Sequence, residues 1–480
     1  MTDYGDRLGL TRARRDRAAH RRDVEPRPRG NMISSDRMAS TTRTKELPPG
    51  SDGLPLVGET LSFVQDIFGF IRKRRQRYGP VFRTSILGKS AVFISGPQLA
   101  EKWLDPALIE RAGALPPNVL ELFGGDPNIV PLLDGEAHRR RKQALLTAFS
   151  REAIASYLPR VQRIIEEHLA GWVSAKQLAV TEDLKRLAIE AICGCVLGLE
   201  PGDELRRLLD DYGRVGAAFA GLPIDLPGTA YRSGLKARDR ILAVLRAQVR
   251  KHQQQPGTDG LSRILAAASA AGEPLPVETA ALEMHHFVLA GVIVFAELAA
   301  LVRELHDDAA VRGKVKAEVT VQAPAGPVTP AQLRQLPYLL QVVNEVKRTC
   351  PNVPMSFGRA RAPIQMNGYV IPRGWLVMMA VVESNQDAVF TDPSTFDPER
   401  FGPGRAEHER HPHAFMPQGA GELSGHKCAG YDFSTVMMQL FAILLVRGYR
   451  WELPPQDLGM RWNRIPPEYK SGLVVRAQKI

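Results

Sequence analysis

Apolar residues recur every three or four positions through much of the chain, with polar residues between them. This period predicts amphipathic helices. The clearest helical patterns cover residues 61–78, 135–149, 279–306, 338–349 and 431–446. Between residues 151 and 270, further amphipathic stretches are separated by Pro and Gly pairs that mark turns.

Strand patterns are short and lie at a few places. Residues 81–87 and 90–94 flank Gly88-Lys89 and predict a β-hairpin. Residues 355–361 predict an extended strand on which Arg359 and Arg361 share one face. Residues 448–480 are typical of further short strands. No internal repeat or composition change within residues 151–270 indicates a domain boundary there.

Composition is that of an ordinary globular protein, with 44% hydrophobic and 24% charged residues over 480 positions. Such a length can bury a cofactor. Four cysteines are too few for a disulfide framework, which favours a reducing cytoplasm. Cys193 and Cys195 lie in an apolar run and are interpreted as core residues.

The net charge of +11 is concentrated at the start of the chain. Residues 1–45 contain twelve Lys and Arg against six Asp and Glu, a difference of +6. This arm lacks the interleaved aromatic residues, the amphipathic period and the apolar segment that nucleic-acid-binding arms, membrane helices and signal peptides have. We therefore expect residues 1–47 to be a disordered leader, with Met32 and Met38 as alternative starts. The most apolar run, residues 287–302, contains Glu297 and is too short to span a bilayer.

Cys428 is the strongest candidate for a residue that takes part directly in the chemistry of the protein. It follows a glycine-rich loop and precedes an apolar helix, and the charges of His426 and Lys427 beside it favour the thiolate. A thiolate is a metal ligand, yet no second Cys or His lies at zinc-site spacing. A single axial thiolate suits haem iron. The competing interpretation is a buried structural cysteine.

Three motifs stand at informative positions: the loop from Phe415 to Gly430, Glu345-Val346-Lys347-Arg348, and Pro398-Glu399-Arg400-Phe401. In that order they resemble the haem-ligand loop, the Glu-x-x-Arg signature and the third element of the cytochrome P450 superfamily. The resemblance covers residues 48–480. It implies a mainly α fold with small β-sheets, built as a single domain around a buried haem b whose iron Cys428 ligates. The long loop and His426 are similar to the bacterial fatty-acid peroxygenase branch.

The resemblance also implies roles for further residues. It predicts that Glu345, Arg348 and Arg400 form a structural ion-pair cluster. His138 and Lys142, four apart on one helix face, would bind haem propionates, as would Arg359. The cofactor-binding set implied by the resemblance is His138, Lys142, Arg359, Phe415, Gly421, His426, Lys427, Cys428 and Gly430.

The opposite wall of the pocket is predicted from residues 111–134 and from the helix over 279–306. The expected pocket residues are Leu120, Phe123, His286, Leu289, Ala290, Ile293 and Val294. The acid and Thr that handle protons in most of the superfamily are absent after Ala290-Gly291. The Arg-Pro pair of the peroxygenase branch is replaced by Leu289-Ala290. His286 is the candidate polar group and is assigned a catalytic role; a structural histidine is the alternative.

These features together predict a haem-thiolate oxidoreductase of P450 type that acts on a largely apolar small molecule, with secondary metabolism as the expected setting. Without the acid and Thr, the expected oxidant is hydrogen peroxide or a pre-oxidised substrate with an O- or N-leaving group. One alternative is a dioxygen-dependent monooxygenase with a ferredoxin-type partner, in which the substrate or water assists proton delivery. The other is a non-catalytic haem sensor. No nucleic acid and no membrane is expected as a partner, and the expected location is cytoplasmic.

Overall fold

The computed structural model describes residues 46–86, 88–350 and 352–480. The predicted leader, residues 1–47, falls almost wholly outside these described residues, so it stays a prediction.

Helices dominate the described part of the chain, as the apolar period predicts. Their bounds are α1 Thr60–Gln65, α2 Ile67–Tyr78, α3 Pro97–Leu104, α4 Pro117–Leu122, α5 Gly135–Leu146, α6 Arg151–Ser174, α7 Val180–Val196, α8 Asp203–Phe219, α9 Ala230–Gln254, α10 Gly260–Ala270, α11 Val277–Val292, α12 Val294–Asp307, α13 Ala309–Gln322, α14 Pro330–Arg334, α15 Pro337–Thr349, α16 Val381–Asn385 and α17 Tyr431–Gly448. Short 3-10 helices lie at Val130–Leu132, Thr147–Phe149, Pro398–Phe401 and Glu407–Glu409.

The strands of the described part are short. They are β1 Val81–Ile86, β2 Lys89–Ile94, β3 Ile109–Glu110, β4 Leu178–Ala179, β5 Met355–Ala360, β6 Ile364–Met366, β7 Tyr369–Ile371, β8 Leu376–Ala380, β9 Tyr449–Glu452, β10 Met460–Arg461, β11 Glu468–Tyr469 and β12 Val474–Lys479. The largest sheet has the order β1-β2-β8-β5-β3, with β2 and β8 parallel. The predicted hairpin is confirmed, since Val81 pairs with Ile94 across β1 and β2.

Two predicted helices are interrupted. The pattern over residues 61–78 forms α1 and α2, because Asp66 adopts an extended conformation and its Oδ1 accepts a 2.7 Å hydrogen bond from the Gly69 amide. That cap ends one helix and begins the next. The pattern over residues 279–306 forms α11 and α12, with a turn at Ile293 between them.

The main core lies between the long helices. Trp172 of α6 packs edge-on against Phe441 of α17 at 6.0 Å, and both are almost fully buried. Helix α11 lies close to α7 because residue 291 is a glycine. A Cβ at Gly291 would lie 2.8 Å from Ile192 Cγ1, so any side chain there would push the two helices apart.

The run Val277–Asp307, which comprises α11 and α12, is long and apolar enough to cross a membrane by length and composition alone. The apolar run over residues 287–302 is only part of this segment of 31 residues, so the length of the run alone does not decide whether the segment could span a bilayer. Within the fold, 67% of its most apolar window is buried. A core helix of a globular protein passes the same test, and we interpret this helix as one.

The cluster of Glu345, Arg348 and Arg400 is fully buried. Glu345 accepts two bonds of 2.7 Å from Arg348 and one of 3.0 Å from Arg400 Nε. Arg400 also donates to Glu407 at 2.8 Å, a buried carboxylate that the sequence patterns did not reveal. Bidentate bonds of this kind fix α15 against the segment that follows β8 and leads toward the Cys428 loop.

Candidate functional site

A cavity of about 420 Å³ lies between the α11–α12 helix and the loop that precedes α17. Cys428 contributes to one wall, and Ala290, Ile293 and Val294 contribute to another. The loop over residues 129–132 and the start of β5 close the remaining sides. Apolar atoms form most of this surface, with charged and polar side chains collected at one edge.

Cys428 is held by its own loop. Its amide donates a 3.0 Å hydrogen bond to the Gln418 carbonyl, which fixes the cysteine backbone two residues before the N-cap of α17. The thiol is free. Gly430 is the N-cap, and a Cβ at that position would lie 3.9 Å from the sulfur. The geometry therefore presents Sγ to the cavity beside a helix N-terminus, where a thiolate is stabilised.

Two buried cations lie at the polar edge. Lys142 of α5 is 4% exposed, and its Nζ donates to the Lys427 carbonyl. Arg111 is 5% exposed; its guanidinium lies 3.4 Å from the centre of the Trp103 ring and donates to the Phe357 and Trp103 carbonyls. Burial lowers the pKa of Arg111 to about 9 and also lowers the pKa of Lys142. Both groups therefore bear the desolvation cost of a buried charge.

Such an edge fits a haem. The charges of Asp134 on Arg111 and of Glu283 on Lys142 offset this desolvation only in part. Two propionate carboxylates at the same edge would supply the remaining counter-charge. The cavity offers one thiol on one wall and apolar side chains on the other, which matches an axial thiolate and a hydrocarbon macrocycle.

His138 and His426 also line the cavity and stack on each other, with ring centroids 4.0 Å apart. Burial and the nearby cations lower the pKa of His138 to about 4 and that of His426 to about 2. Both imidazoles are therefore neutral near pH 7. The prediction that a charge on His426 stabilises the thiolate is wrong for this reason. Lys142 interacts electrostatically with Cys428, whose charge opposes the lowering of the lysine pKa by burial.

Arg359 lies elsewhere than predicted. It shares a face with Arg361, as the strand pattern indicates, but both pair with Glu110 at 2.7 and 3.1 Å. Arg359 is not part of the cavity wall and its side chain is 39% exposed. The reason is the strand register, which turns Gly358 toward Arg111: a Cβ on Gly358 would lie 2.9 Å from Arg111 Nη1. Arg111 thus occupies the edge that the sequence assigned to Arg359.

Two of the loop residues predicted to bind the cofactor also lie outside the cavity wall. Phe415 packs against Phe401 with ring centroids 4.9 Å apart. Gly421 is exposed, and a Cβ there would contact Leu104. The long loop moves both away from the cysteine. Lys427 does line the cavity, with its Nζ 4.5 Å from the centre of the Tyr431 ring.

The apolar wall follows the prediction at most positions. Phe123, Ala290, Ile293 and Val294 line the cavity. Leu120 and Leu289 do not, because Leu120 packs with the cluster around Leu132 and Leu289 packs with the main core. Helical geometry turns Leu289 away from the face that carries Ala290 and Ile293.

His286 and its neighbour His285 differ in their surroundings. His285 is outside the cavity wall; its ring nitrogens contact the Tyr212 hydroxyl at 3.3 Å and the Leu122 carbonyl at 3.0 Å. His286 lines the cavity, and within the described residues its Nδ1 has no hydrogen-bond partner. Burial, followed by Lys142, lowers the pKa of His286 to about 4. A neutral imidazole therefore lies in the cavity wall next to Phe123, and its Nδ1 is buried.

A buried pair that the sequence patterns did not reveal fixes the loop beside this wall. Glu283 is fully buried, and its Oε1 accepts bonds of 2.9 Å from both the Val130 amide and Arg141 Nη1. Burial raises the pKa of Glu283 to about 7. Val130 lines the cavity, so this carboxylate positions the loop from one turn before His286. The sequence signal was an acid in an otherwise apolar stretch of helix.

Comparison with known proteins agrees with this geometry. The family profile described as Cytochrome P450 matches residues 48–466. The chain is 32% identical to "Putative cytochrome P450 120" of Synechocystis, over 85% of this chain and 91% of that protein. The fold is similar to that of retinoic-acid-bound cyanobacterial CYP120A1, with a TM-score of 0.84, 30% identity and coverage of 91% and 100% of the two chains. It is also similar to cytochrome P450SP alpha (CYP152B1) in complex with (R)-ibuprofen, with a TM-score of 0.75, 25% identity and coverage of 88% and 99%.

Proposed function

The chain belongs to the cytochrome P450 family, and from that premise we propose that it oxidises a largely apolar small molecule with hydrogen peroxide or another pre-formed O- or N-oxidant. Membership makes it a haem-thiolate oxidoreductase with haem b as its cofactor. We propose, beyond this, which residues hold the haem, which oxidant is used and which class of substrate is bound. The single observation that carries the choice of oxidant is the neutral imidazole of His286, which lines the cavity on an otherwise apolar helix face.

In this proposal Cys428 is the axial ligand, and Arg111 and Lys142 bind the propionates. When bound, the haem supplies two-electron oxidation chemistry, with the thiolate as electron donor. The cavity edge supplies cationic donors where the propionates need them. His138 and His426, both neutral, offer ring nitrogens and a stacked surface at the same edge.

His286 is the proposed proton-handling group. At neutral pH its free imidazole accepts a proton from one peroxide oxygen and returns it to the departing oxygen, so that the O–O bond breaks and water leaves. The overall balance is substrate C–H plus hydrogen peroxide giving C–OH plus water, with the substrate oxidised by two electrons and the peroxide reduced. The cavity face of the helix from Val277 to Asp307 has no carboxylate and no hydroxyl for the proton delivery that dioxygen needs.

The substrate is proposed to be a compact apolar molecule that contacts Phe123, Ala290 and Ile293. The similar structures hold retinoic acid and (R)-ibuprofen, both apolar carboxylic acids. Leu289-Ala290 gives this chain no arginine at that part of the wall, so we propose that apolar contacts hold the substrate in place of an ion pair. The apolar pocket is our reason for proposing a role in secondary metabolism. The four free cysteines are our reason for proposing a cytoplasmic location.

The test is to supply the purified holoenzyme with retinoic acid or (R)-ibuprofen and one of two oxidant systems. One system is hydrogen peroxide alone; the other is dioxygen with reduced ferredoxin. We expect hydroxylated product with peroxide and a loss of about 10²-fold or more in kcat for His286→Ala, the scale of general acid–base catalysis. Product only with ferredoxin would replace the proposal by dioxygen-dependent monooxygenation. No product with either system, together with a substrate-induced spectral change, would favour a sensor.

A further inference from the structure

Lys347 is a fully buried lysine on the cysteine side of the cavity. It is the third residue of the Glu345-Val346-Lys347-Arg348 motif on α15, and sequence reasoning gave it no role. A buried charged side chain needs partners that account for its retention in the core.

Two hydrogen bonds and one longer ionic contact surround the Lys347 ammonium. Its Nζ donates to Gln418 Oε1 at 2.8 Å and to Ser434 Oγ at 2.7 Å. Glu297 Oε2 of α12 lies 3.9 Å away on a third side. An ammonium has donors and no acceptor, so two accepting oxygens at hydrogen-bond distance and a carboxylate at 3.9 Å suit the charged form. The Tyr431 ring, with its centre 4.8 Å from Nζ, faces the same charge.

Gln418 connects this charge to Cys428. Its side-chain oxygen accepts from Lys347, and its backbone carbonyl accepts the 3.0 Å hydrogen bond from the Cys428 amide. Gln418 and Ser434 both line the cavity, whereas Lys347 lies behind them. The ammonium is therefore linked to Cys428 through a single residue, Gln418.

The buried pair of Lys347 and Glu297 lies with its lysine on the side of the Cys428 loop and its carboxylate on the side of α12. The two hydrogen bonds of Lys347 go to the Cys428 side, while Glu297 lies on the α12 side. Burial lowers the pKa of Lys347 and raises the pKa of Glu297, so the pair bears a desolvation cost on both sides. The charges of Glu297 and of Cys428 oppose the change at Lys347, which places the sulfur within electrostatic reach. The positive end of the pair thus faces the sulfur in a low-dielectric interior.

We infer that Lys347 is a positioning residue for the Cys428 thiolate: it holds Gln418 against the ligand loop and raises the reduction potential of the bound haem iron. Reduction adds an electron to the iron–thiolate unit, and a nearby positive charge stabilises the more negative state. Groups outside the direct ligands tune metal sites in this way. The inference rests on the proposed axial role of Cys428.

The experiment measures the midpoint potential of the holoenzyme by spectroelectrochemical titration, after the carbon monoxide complex of the reduced wild type has shown the thiolate-type Soret band. That control separates a failure of the ligand assignment from a failure of this inference. For Lys347→Met we expect the equilibrium constant for reduction to fall tenfold or more, which is 59 mV or more for one electron. For Lys347→Arg, which keeps the charge, we expect a change of less than about threefold.

Glu297→Gln should change the midpoint potential in the opposite direction. It removes the negative end of the pair and keeps the amine, so the midpoint potential should rise. An unchanged potential in Lys347→Met, or an equal fall in Lys347→Met and Lys347→Arg, would overturn the inference, because packing alone would then explain the residue. If Lys347→Met does not take up haem, the Glu297→Gln result decides: a rise supports the inference, and a fall or no change overturns it.

Discussion

Arg111, rather than Arg359, is expected to hold the haem by a propionate, and a pair of matched variants tests this. Arg111 is 5% exposed at the cavity edge, whereas the side chain of Arg359 is 39% exposed and pairs with Glu110. A hydrogen bond to a charged group contributes about 1.5–3 kcal/mol. Arg111→Met should therefore weaken haem binding by roughly 10- to 150-fold, at about 1.4 kcal/mol for each factor of ten.

Arg359→Met is the control. An exposed ion pair contributes about 0–1 kcal/mol, so we expect less than about a fivefold change in the haem dissociation constant. The assay is the rate and extent of haem transfer from each holoprotein to excess apomyoglobin. Because Arg111 also donates to the Phe357 and Trp103 carbonyls, urea unfolding of the apoproteins is measured in parallel. The reasoning is refuted if Arg359→Met loses haem as readily as Arg111→Met, or if Arg111→Met unfolds more easily but retains haem.

Three other results are expected. Glu345→Gln should lower the free energy of unfolding by about 3–5 kcal/mol, because it leaves Arg348 buried without a counter-charge. Glu399 is exposed, so Glu399→Gln should lower it by at most about 1 kcal/mol. Equal effects of the two substitutions in urea unfolding would contradict this prediction. Peroxide-dependent kcat/KM should fall only as the pH drops through the His286 pKa of about 4, because the imidazole acts as a base only while it is unprotonated. A fall in kcat/KM near the ordinary histidine pKa of about 6.5 would count against His286 as the base. Cys428→Ala should abolish the thiolate-type spectrum of the carbon monoxide complex, while Cys350→Ala should keep it, and the reverse would reassign the ligand.

Local patterns determined the elements and the motif positions. The hairpin of β1 and β2, the helix at α15 and the helix at α17 could be predicted because apolar spacing and turn residues act over a few neighbouring positions. His138 and Lys142 were placed on one face by helical spacing alone, and both line the cavity. Glu345, Arg348 and Arg400 were joined by motif spacing, and the ion pairs are present.

Contacts between distant segments decided the electrostatics of the site. Arg111 reaches the cavity edge because β3 pairs with β5 and brings it beside Gly358, a relation that spans more than two hundred positions. His426 is neutral because it is buried against His138, and the local sequence shows only that a lysine follows it. A charge pattern along the chain gives no measure of burial, and burial sets the pKa.

The sequence by itself determined which residue types were available: one cysteine after a glycine-rich loop, a distal helix without an acid–Thr pair, and a histidine one turn before Ala290. Only the tertiary structure decided which charges face the cavity, that Lys347 lies behind Gln418, and that Glu283 holds the loop at Val130. The physical reason is that helical and strand periods fix which neighbours share a face. Desolvation and ion pairing depend on segments that meet only when the chain folds.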